Sequence, residues 1–366
     1  MQFTVQRRDM LSALQTVIGV VERRQTMPIL SNVLIQGDNN QLTLTATDLE
    51  LELVTHCPAV IETPGSVAIP ARKLLDICRG LPDDSEIQCR QEGSQTRVQS
   101  NRSRFTLAVL SGEDWPHLDE VESGQTISIP ENTLKGLLDR THFAMAQQDV
   151  RYYLNGLLLS LRSDRVRCVA TDGHRLALSD AHIDVDVDEA IQAIIPRKGV
   201  TELVRLLGNS DAEIRLMLSN KHLRLQLPGL SFTTKLIDGR FPDYERVIPA
   251  QPEQEMTAHR DTIRQALSRT AILSNEKFGG VRLTLGDHTL KLQAQNVERE
   301  EAEDEIEVSY DGQPLEIGFN VTYLLDALGA MDSDEFVLAL SGADSSGLLQ
   351  AVGDESSRYV VMPMRL

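Results

Sequence analysis

Four segments from the first third of the chain recur in the same order about 125 residues later. "LTLTATDLELEL" (42–53) resembles "RCVATDGHRLAL" (167–178), and "IPARKLLDICRGL" (69–81) resembles "IPRKGVTELVRLL" (195–207). "GEDWPHLDEV" (112–121) resembles "DGRFPDYERV" (238–247), and "ILSNVLI" (29–35) resembles "YYLNGLLL" (152–159). The offset is 124 from Asp48 to Asp172 and 126 from Pro116 to Pro242. Such self-similarity constrains the fold more than any single motif, because each copy must adopt one architecture. A unit this long is a domain and not a solenoid repeat.

The last third keeps the order more faintly. "FGGVRLTL" (278–285) stands for the Leu-Asn-Gly strand, and "LKLQAQNVEREEAEDEIEV" (290–308) for the Thr-Asp hairpin. "IGFNVTYLLDALGAM" (317–331) stands for the Ile-Pro strand and its helix, with Leu75-Asp76 mapping to Leu325-Asp326 at an offset of 250. Three domains of similar fold are expected, at 1–124, 125–250 and 251–366.

Each copy holds two helix patterns. In "VQRRDMLSALQTVIGVV" the residues Met10, Leu11, Leu14, Val17 and Ile18 recur at helical spacing. "PENTLKGLLDRTHFAMA" opens on Pro130 and carries Leu134, Leu137, Leu138 and Phe143, and "HRDTIRQALSRTAIL" is the third copy. Alternating runs such as "QLTLTAT" and "HLRLQL" between them read as half-buried strands. Each half-repeat therefore reads β-α-β-β-β, and each domain two such units. The class is α+β, with helices on one face of antiparallel sheets.

The 366 residues carry a formal charge of -18, which usually argues against a nucleic-acid partner. The charge is unevenly spread. The six helix segments (7–24, 71–80, 131–148, 197–207, 260–277 and 320–331) hold sixteen basic and nine acidic residues, a net +7, so the rest carries -25. For any one helix a basic surface means little. Repeated in equivalent helices, it predicts a basic layer that attracts phosphates and an acidic layer that repels them. No run of 18 apolar residues offers a membrane span, and "MQFTVQRRDM" shows no secretory signal. Cys57, Cys78, Cys89 and Cys168 lack metal-type spacing and read as buried thiols in a reducing cytoplasm.

Catalytic motifs are not positively indicated. In "TDGHR" (171–175) Asp172 and His174 suggest a base and its orienter, but an Asp-Gly hairpin turn explains them equally. The sister copy has Leu49 and Glu50 after its Thr-Asp, which assigns that pair to the scaffold. "REEAEDE" (299–305) lacks the Gly and the spaced ligands of a cation loop and reads as a solvated acidic strand or loop. There is no P-loop, dinucleotide fingerprint, zinc spacing or serine elbow. Two alternatives stay open on these residues alone: a hydrolase using Asp172 and His174, and a scaffold that binds only proteins.

From "FTVQRRDML" to "YVVMPMRL" the chain resembles the bacterial sliding clamps, the beta subunits of DNA polymerase III. The most specific stretches are "PARKLLDICRGLP", "QDVRYYLNG", "VATDGHRLA", "PRKGV", "KLIDGRFPDYERV", "AILSNEKF" and "IGFNV". The resemblance implies a homodimer closed head to tail into a ring of six domains, helices inside and antiparallel sheets outside. It implies a non-catalytic processivity factor that encircles double-stranded DNA and tethers the replicative polymerase alpha subunit. Further partners it implies are the clamp loader, translesion and repair polymerases, ligase and mismatch-repair proteins, with no membrane partner. It implies no metal or nucleotide cofactor, any ATP belonging to the loader.

The same resemblance implies three sets of residues. Arg24, Arg72, Gln148, Arg197, Lys198 and Lys277 would approach DNA. Lys73, Phe105 and Leu107 of one copy would meet Ile272, Leu273, Glu300 and Glu303 of the other. A groove for partner peptides, typically a Gln followed by bulky apolar residues, would take Leu154, Thr171, Gly173, His174, Arg175, Leu176, Pro242, Arg246, Val247, Asn320, Tyr323, Ser345, Val360, Val361, Met362, Pro363, Met364 and Arg365. That groove accounts for the apolar "YVVMPMRL" (359–366), since methionines adapt to several ligands. The plainer expectation for "VVMPM" is an edge strand completing the third domain. Alternate side chains can satisfy both.

Overall fold

The computed structural model describes residues 1–21, 27–116, 118, 124–187, 189–250, 253–275 and 278–365. Among them are six α-helices: α1 (Arg7–Val17), α2 (Ala71–Gly80), α3 (Glu131–Asp139), α4 (Arg197–Leu206), α5 (Arg260–Ala271) and α6 (Val321–Gly329). Each follows one strand and precedes three, so β-α-β-β-β occurs six times, supplemented by the short strands Val60–Thr63 and Leu110–Ser111. The buried residues of α2 show why these segments coil: Ala71, Leu74, Leu75 and Cys78 form one apolar stripe. Burying each leucine contributes about 2 kcal/mol.

Two helices are shorter than their apolar patterns. α1 stops at Val17, and Ile18 to Val21 continue as turns closed by backbone bonds to Leu14, Val17 and Ile18. α3 stops at Asp139. Thr141 Oγ1 donates back to Leu137 O at 2.6 Å, and a separate 3₁₀ turn, His142–Ala144, carries the remaining apolar residues. Apolar spacing continues through such turns, so periodicity overstates helix length.

Residues 1–131 and 210–236 form one compact unit; 132–209 and 237–366 form another. The first contains a nine-stranded sheet, in the order Leu110–Ser111, Gly65–Pro70, Asn32–Asp38, Gln41–Thr47, Leu51–Pro58, Leu230–Lys235, His222–Leu227, Glu213–Leu218, Gln125–Pro130. It also contains a five-stranded sheet: Val60–Thr63, Gln2–Gln6, Glu86–Glu92, Gln95–Ser100, Ser103–Ala108. Helices α1 and α2 pack on each other, and α1 touches strands of both sheets.

The second unit repeats the plan. Its eight-stranded sheet runs Ile191–Pro196, Gly156–Arg162, Arg165–Thr171, Arg175–Ala181, Ser357–Val361, Gly347–Ala351, Glu335–Leu340, Gln254–His259. Its four-stranded sheet runs Glu301–Glu307, Thr289–Gln295, Gly280–Gly286, Leu315–Asn320. All ladders are antiparallel. The repeat register is reproduced: Thr47 pairs with Glu52, and Thr171 with Leu176, both at an offset of 124.

The last strand corrects one expectation. Ser357–Val361 is not an edge: it pairs with Arg175–Ala181 on one side and Gly347–Ala351 on the other. Only Met362 onward leaves the sheet.

Candidate functional site

The site grows from the turn 171–175. Thr171 Oγ1 donates to Arg175 O at 2.6 Å and accepts from the Gly173 N–H at 3.1 Å. Asp172 Oδ1 accepts from the N–H groups of His174 and Arg175 at 2.9 and 3.0 Å. This closes the hairpin through side chains and demands a left-handed third residue, which Gly173 supplies at φ 88°. Asp172 Oδ2 accepts from Arg175 Nε at 3.1 Å, so both its oxygens are engaged in structure.

Arg175 is held on three sides. Nη1 donates to Asp326 Oδ2 at 2.5 Å and Nη2 to Phe143 O at 2.7 Å. Its guanidinium lies over the Tyr323 ring, 4.5 Å from the centroid, and 5.4 Å from that of Phe143. Burial pushes the Tyr323 hydroxyl upward from its ordinary range. Beyond the turn, Arg151 lies with its guanidinium nitrogens 2.9 Å from where a Cβ on Gly173 would stand. Asp149 anchors Arg151 through two bonds, at 3.0 and 2.8 Å, and those bonds hold the Asp149 carboxyl down to about 2.

Beside this turn opens a cavity of about 420 Å³. Of the expected groove residues, Leu154, Thr171, Gly173, His174, Arg175, Leu176, Pro242, Arg246, Val247, Val360 and Met362 line it. Its apolar floor is one buried cluster that includes Leu158, Leu176, Ile194, Phe241, Tyr244 and Val360. Arg167 braces that floor, with two bonds to Asp180 at 2.6 and 2.7 Å and one to Tyr244 Oη at 3.3 Å. These bonds raise the Arg167 guanidinium further above its already high range.

The remaining expected groove residues sit elsewhere. Val361 is buried on the opposite face of its strand from Val360, as strand alternation requires. Ser345 Oγ donates to Gly342 O, and the neighbouring Ser346 reaches the cavity instead. Asn320 caps α6, accepting from Thr322 N and Tyr323 N at 2.9 and 3.2 Å. Tyr323 lies beneath Arg175. Pro363, Met364 and Arg365 run past the cavity, with Met362 N bonded to His174 O and Met364 N to Gly318 O.

Arg151, Tyr153, Asp243 and Tyr244 also line the cavity and were not foreseen. Tyr153, Asp243 and Tyr244 fall inside the repeated segments "YYLNGLLL" and "DGRFPDYERV", so the repeat held a signal for them. Arg151 lies outside the repeated segments, within the family-like stretch "QDVRYYLNG".

Of the expected DNA residues, none that is described lines this cavity. Arg72 is exposed on α2, with Nη2 donating to Val21 O at 2.8 Å. Gln148 is exposed at a left-handed φ of 57°. Arg197 and Lys198 begin α4, and Arg197 Nη1 donates to Met145 O at 3.0 Å. Arg24 and Lys277 lie outside the described residues.

At the expected seam Lys73 is exposed, Phe105 is 36% and Ile272 77% exposed, and Leu273 is half-buried. Leu107 differs: it is 8% exposed, largely buried within its own unit. Glu300 accepts from Asn296 Nδ2, and Glu303 from Lys291 and Gln293.

This geometry and the repeat have counterparts in known proteins. Models of the DNA polymerase III beta subunit match end to end: the N-terminal domain at residues 1–119, the central domain at 128–243 and the C-terminal domain at 245–365. The beta sliding clamp of Pseudomonas putida is 50% identical over 370 residues, covering all of both chains. That of Escherichia coli K12 is 46% identical over 367, again covering both. The chain belongs to the DNA polymerase III beta subunit family. A crystal structure of the Pseudomonas aeruginosa sliding clamp bound to griselimycin superposes with a TM-score of 0.96 at 49% identity, covering both chains fully. As a beta sliding clamp, the chain is a non-catalytic processivity factor of DNA replication, with DNA and polymerase as partners. The hydrolase reading of Asp172 and His174 is set aside by that identity and by Asp172's structural bonds. No helix among the described residues is long and apolar enough to cross a membrane.

Proposed function

We propose that two copies close head to tail into a ring around duplex DNA and present one peptide groove each. One observation in strand pairing carries the ring. In every repeat the strand after the central hairpin (Leu51–Pro58, Arg175–Ala181, Glu301–Glu307) has an equivalent place, and so has the last strand (Ser103–Ala108, Leu230–Lys235, Ser357–Val361). The first repeat's hairpin strand pairs with the second repeat's last strand, and the second's with the third's. Glu301–Glu307 and Ser103–Ala108 remain as edges, one on the four-stranded and one on the five-stranded sheet. Joined between copies they make a third continuous sheet of nine strands. The charges agree: "EAEDEIE" on one edge faces Arg102 and Arg104 beside the other.

The seam has Phe105 and Ile272 as exposed apolar anchors, flanked by Lys73, Glu300 and Glu303. Replacing Ile272 and Leu273 with Ala is expected to give monomers by analytical ultracentrifugation; a tight dimer contradicts the seam. Domain boundaries at 1–124, 125–250 and 251–366 follow from the repeat. Arg24, Arg72, Gln148, Arg197, Lys198 and Lys277 contact phosphates weakly, and enclosure does the holding. Equilibrium affinity for DNA is therefore expected to be low, with a shallow salt slope. Loaded protein stays on nicked circles and runs off linear ends; equal retention on both contradicts enclosure.

The cavity beside Arg175 takes the apolar residues of partner peptides, from the polymerase alpha subunit, the clamp loader, translesion and repair polymerases, ligase and mismatch-repair proteins. Its apolar floor with a few polar groups at the rim supports this. The protein works in the cytoplasm and needs no metal or nucleotide of its own.

A further inference from the structure

The second helix of each repeat carries an acidic residue at its sixth position: Asp76 in α2, Glu202 in α4 and Asp326 in α6. In the first two copies that residue pairs within its own helix, three residues on. Arg79 lies 3.8 Å from Asp76, and Arg205 lies 2.7 Å from Glu202. The third helix has Gly329 at that place. Asp326 instead accepts from Arg175 Nη1 at 2.5 Å, reaching the turn that forms the cavity wall. The hairpin residue differs in concert. The first repeat has the apolar Leu51 where the second has Arg175.

We propose that Asp326 is a positioning residue for the peptide groove. It does not line the cavity itself. It fixes the rotamer of Arg175, whose side chain is 12% exposed, so that this wall of the site is preformed. Arg175 is long and carries four rotatable torsions; unfixed, it would have to be ordered at each binding event. Phe143 O and Asp172 hold two of its nitrogens, and Asp326 holds the third while the guanidinium rests over the Tyr323 ring. Loss of the i,i+3 arginine in α6 is what frees Asp326 for this task. The inference rests on the groove reading above and adds to it a residue outside the cavity.

The test is titration of a Gln-plus-apolar pentapeptide into the full-length protein, with a thermal melt of each variant. Asp326→Asn keeps the shape and removes the charge. It is expected to weaken the peptide about five- to tenfold, the size of one partly solvated ionic hydrogen bond. Asp326→Glu, which can still reach Arg175, is expected to stay within about twofold of wild type. Gly329→Arg alters neither partner and offers Asp326 the in-helix arginine its counterparts have. A Cβ there meets nothing nearer than Arg264 Nη2 at 3.9 Å, and the position is exposed, so the substitution starts without a backbone clash. It is expected to weaken the peptide about twofold, the strength of an exposed i,i+3 pair. Its melting temperature should hold or rise, since arginine is a better helix former than glycine. Weaker binding with an unimpaired fold is a combination that mere destabilisation does not produce. If wild type fails to bind the peptide, the groove assignment falls and the inference with it. If wild type binds and both Asp326→Asn and Gly329→Arg bind equally well, the inference alone is overturned. It is also overturned if Asp326→Asn binds more weakly only in step with a lowered melt while Gly329→Arg binds normally.

Discussion

The turns at 47–51 and 171–175 are the same piece of backbone put to different uses. In the first, Thr47 Oγ1 donates to Leu51 O at 2.7 Å and accepts from Leu49 N at 3.0 Å, while Asp48 Oδ1 accepts from Glu50 N and Leu51 N. The second repeats every one of these bonds. Even the strained position agrees, φ 76° at Leu49 and 88° at Gly173. The strand beyond behaves alike too: Lys235 N bonds Glu50 O at 2.8 Å, and Met362 N bonds His174 O at 2.9 Å. The side chains differ. Leu49 packs on a closed cluster of Ile29, Leu30, Leu34, Ala68 and Trp115. Gly173 leaves that place to the guanidinium of Arg151, and Arg175 replaces Leu51. The turn scaffold is shared; Gly173 and Arg175 are two of the lining positions at which the second copy departs from the first.

The largest effect should come from importing Leu51 into the second turn. Arg175→Leu strands Asp172 and Asp326 and removes the wall of the cavity. We expect peptide binding to fall beyond detection and stability to drop by about 2–3 kcal/mol, since a partly buried ion pair loses one partner. Calorimetric titration and a urea melt measure both; normal binding would break the comparison. Importing Leu49 is subtler. Gly173→Leu should fold, because Leu49 shows the turn tolerating leucine, but the new side chain must displace Arg151 and occupy the cavity mouth. We expect about tenfold weaker peptide binding from lost apolar burial, and unchanged affinity would show that the cavity mouth is not used.

The reciprocal change, Leu49→Gly, sharpens the contrast by doing little. Relief of a left-handed leucine is worth about 1 kcal/mol, and loss of its half-buried packing costs about the same. A melting shift within a few degrees is expected, with no new peptide site, because Leu51 supplies no cation. The smallest effect concerns Asp149. Its carboxyl is expected to titrate at about 2 in carboxyl-detected NMR and to return to the ordinary range in Arg151→Ala. The folded value is lowered, so the contribution of this pair is present above the ordinary carboxylate range and lost as pH falls towards 2.

Much of this was legible in the residues. The Thr-Asp pair, seen twice with different followers, could be assigned to the turn before its bonds were known, and both turns obey that reading. The β-α-β-β-β order followed from period alone. Helix ends did not, because Ile18 and Phe143 keep the apolar spacing after α1 and α3 have ended. The basic excess on helices was real as a count but overstated as free charge. Arg7 donates to Cys78 O at 2.8 Å, Arg260 to Met331 O, and Arg197 to Met145 O, so part of it ties helices to carbonyls. Leu107 shares a strand face with Phe105 but is far more buried, a difference that strand alternation does not predict. Ser346 displaced Ser345 through a loop whose turn at Gly342 no spacing rule predicts. The partnership of Asp326 with Arg175 joins residues 151 positions apart and had no local signature.

The groove claim is met most directly by deleting Met362–Leu366, of which Met362–Arg365 lie beyond the last strand. Titration with the Gln-plus-apolar pentapeptide, beside native mass and a thermal melt, reads the outcome. A groove closed on one side by this segment predicts a folded dimer that no longer binds the peptide, because a few buried anchors of roughly 2 kcal/mol each carry such sites. A folded dimer that binds the peptide as wild type does would contradict it.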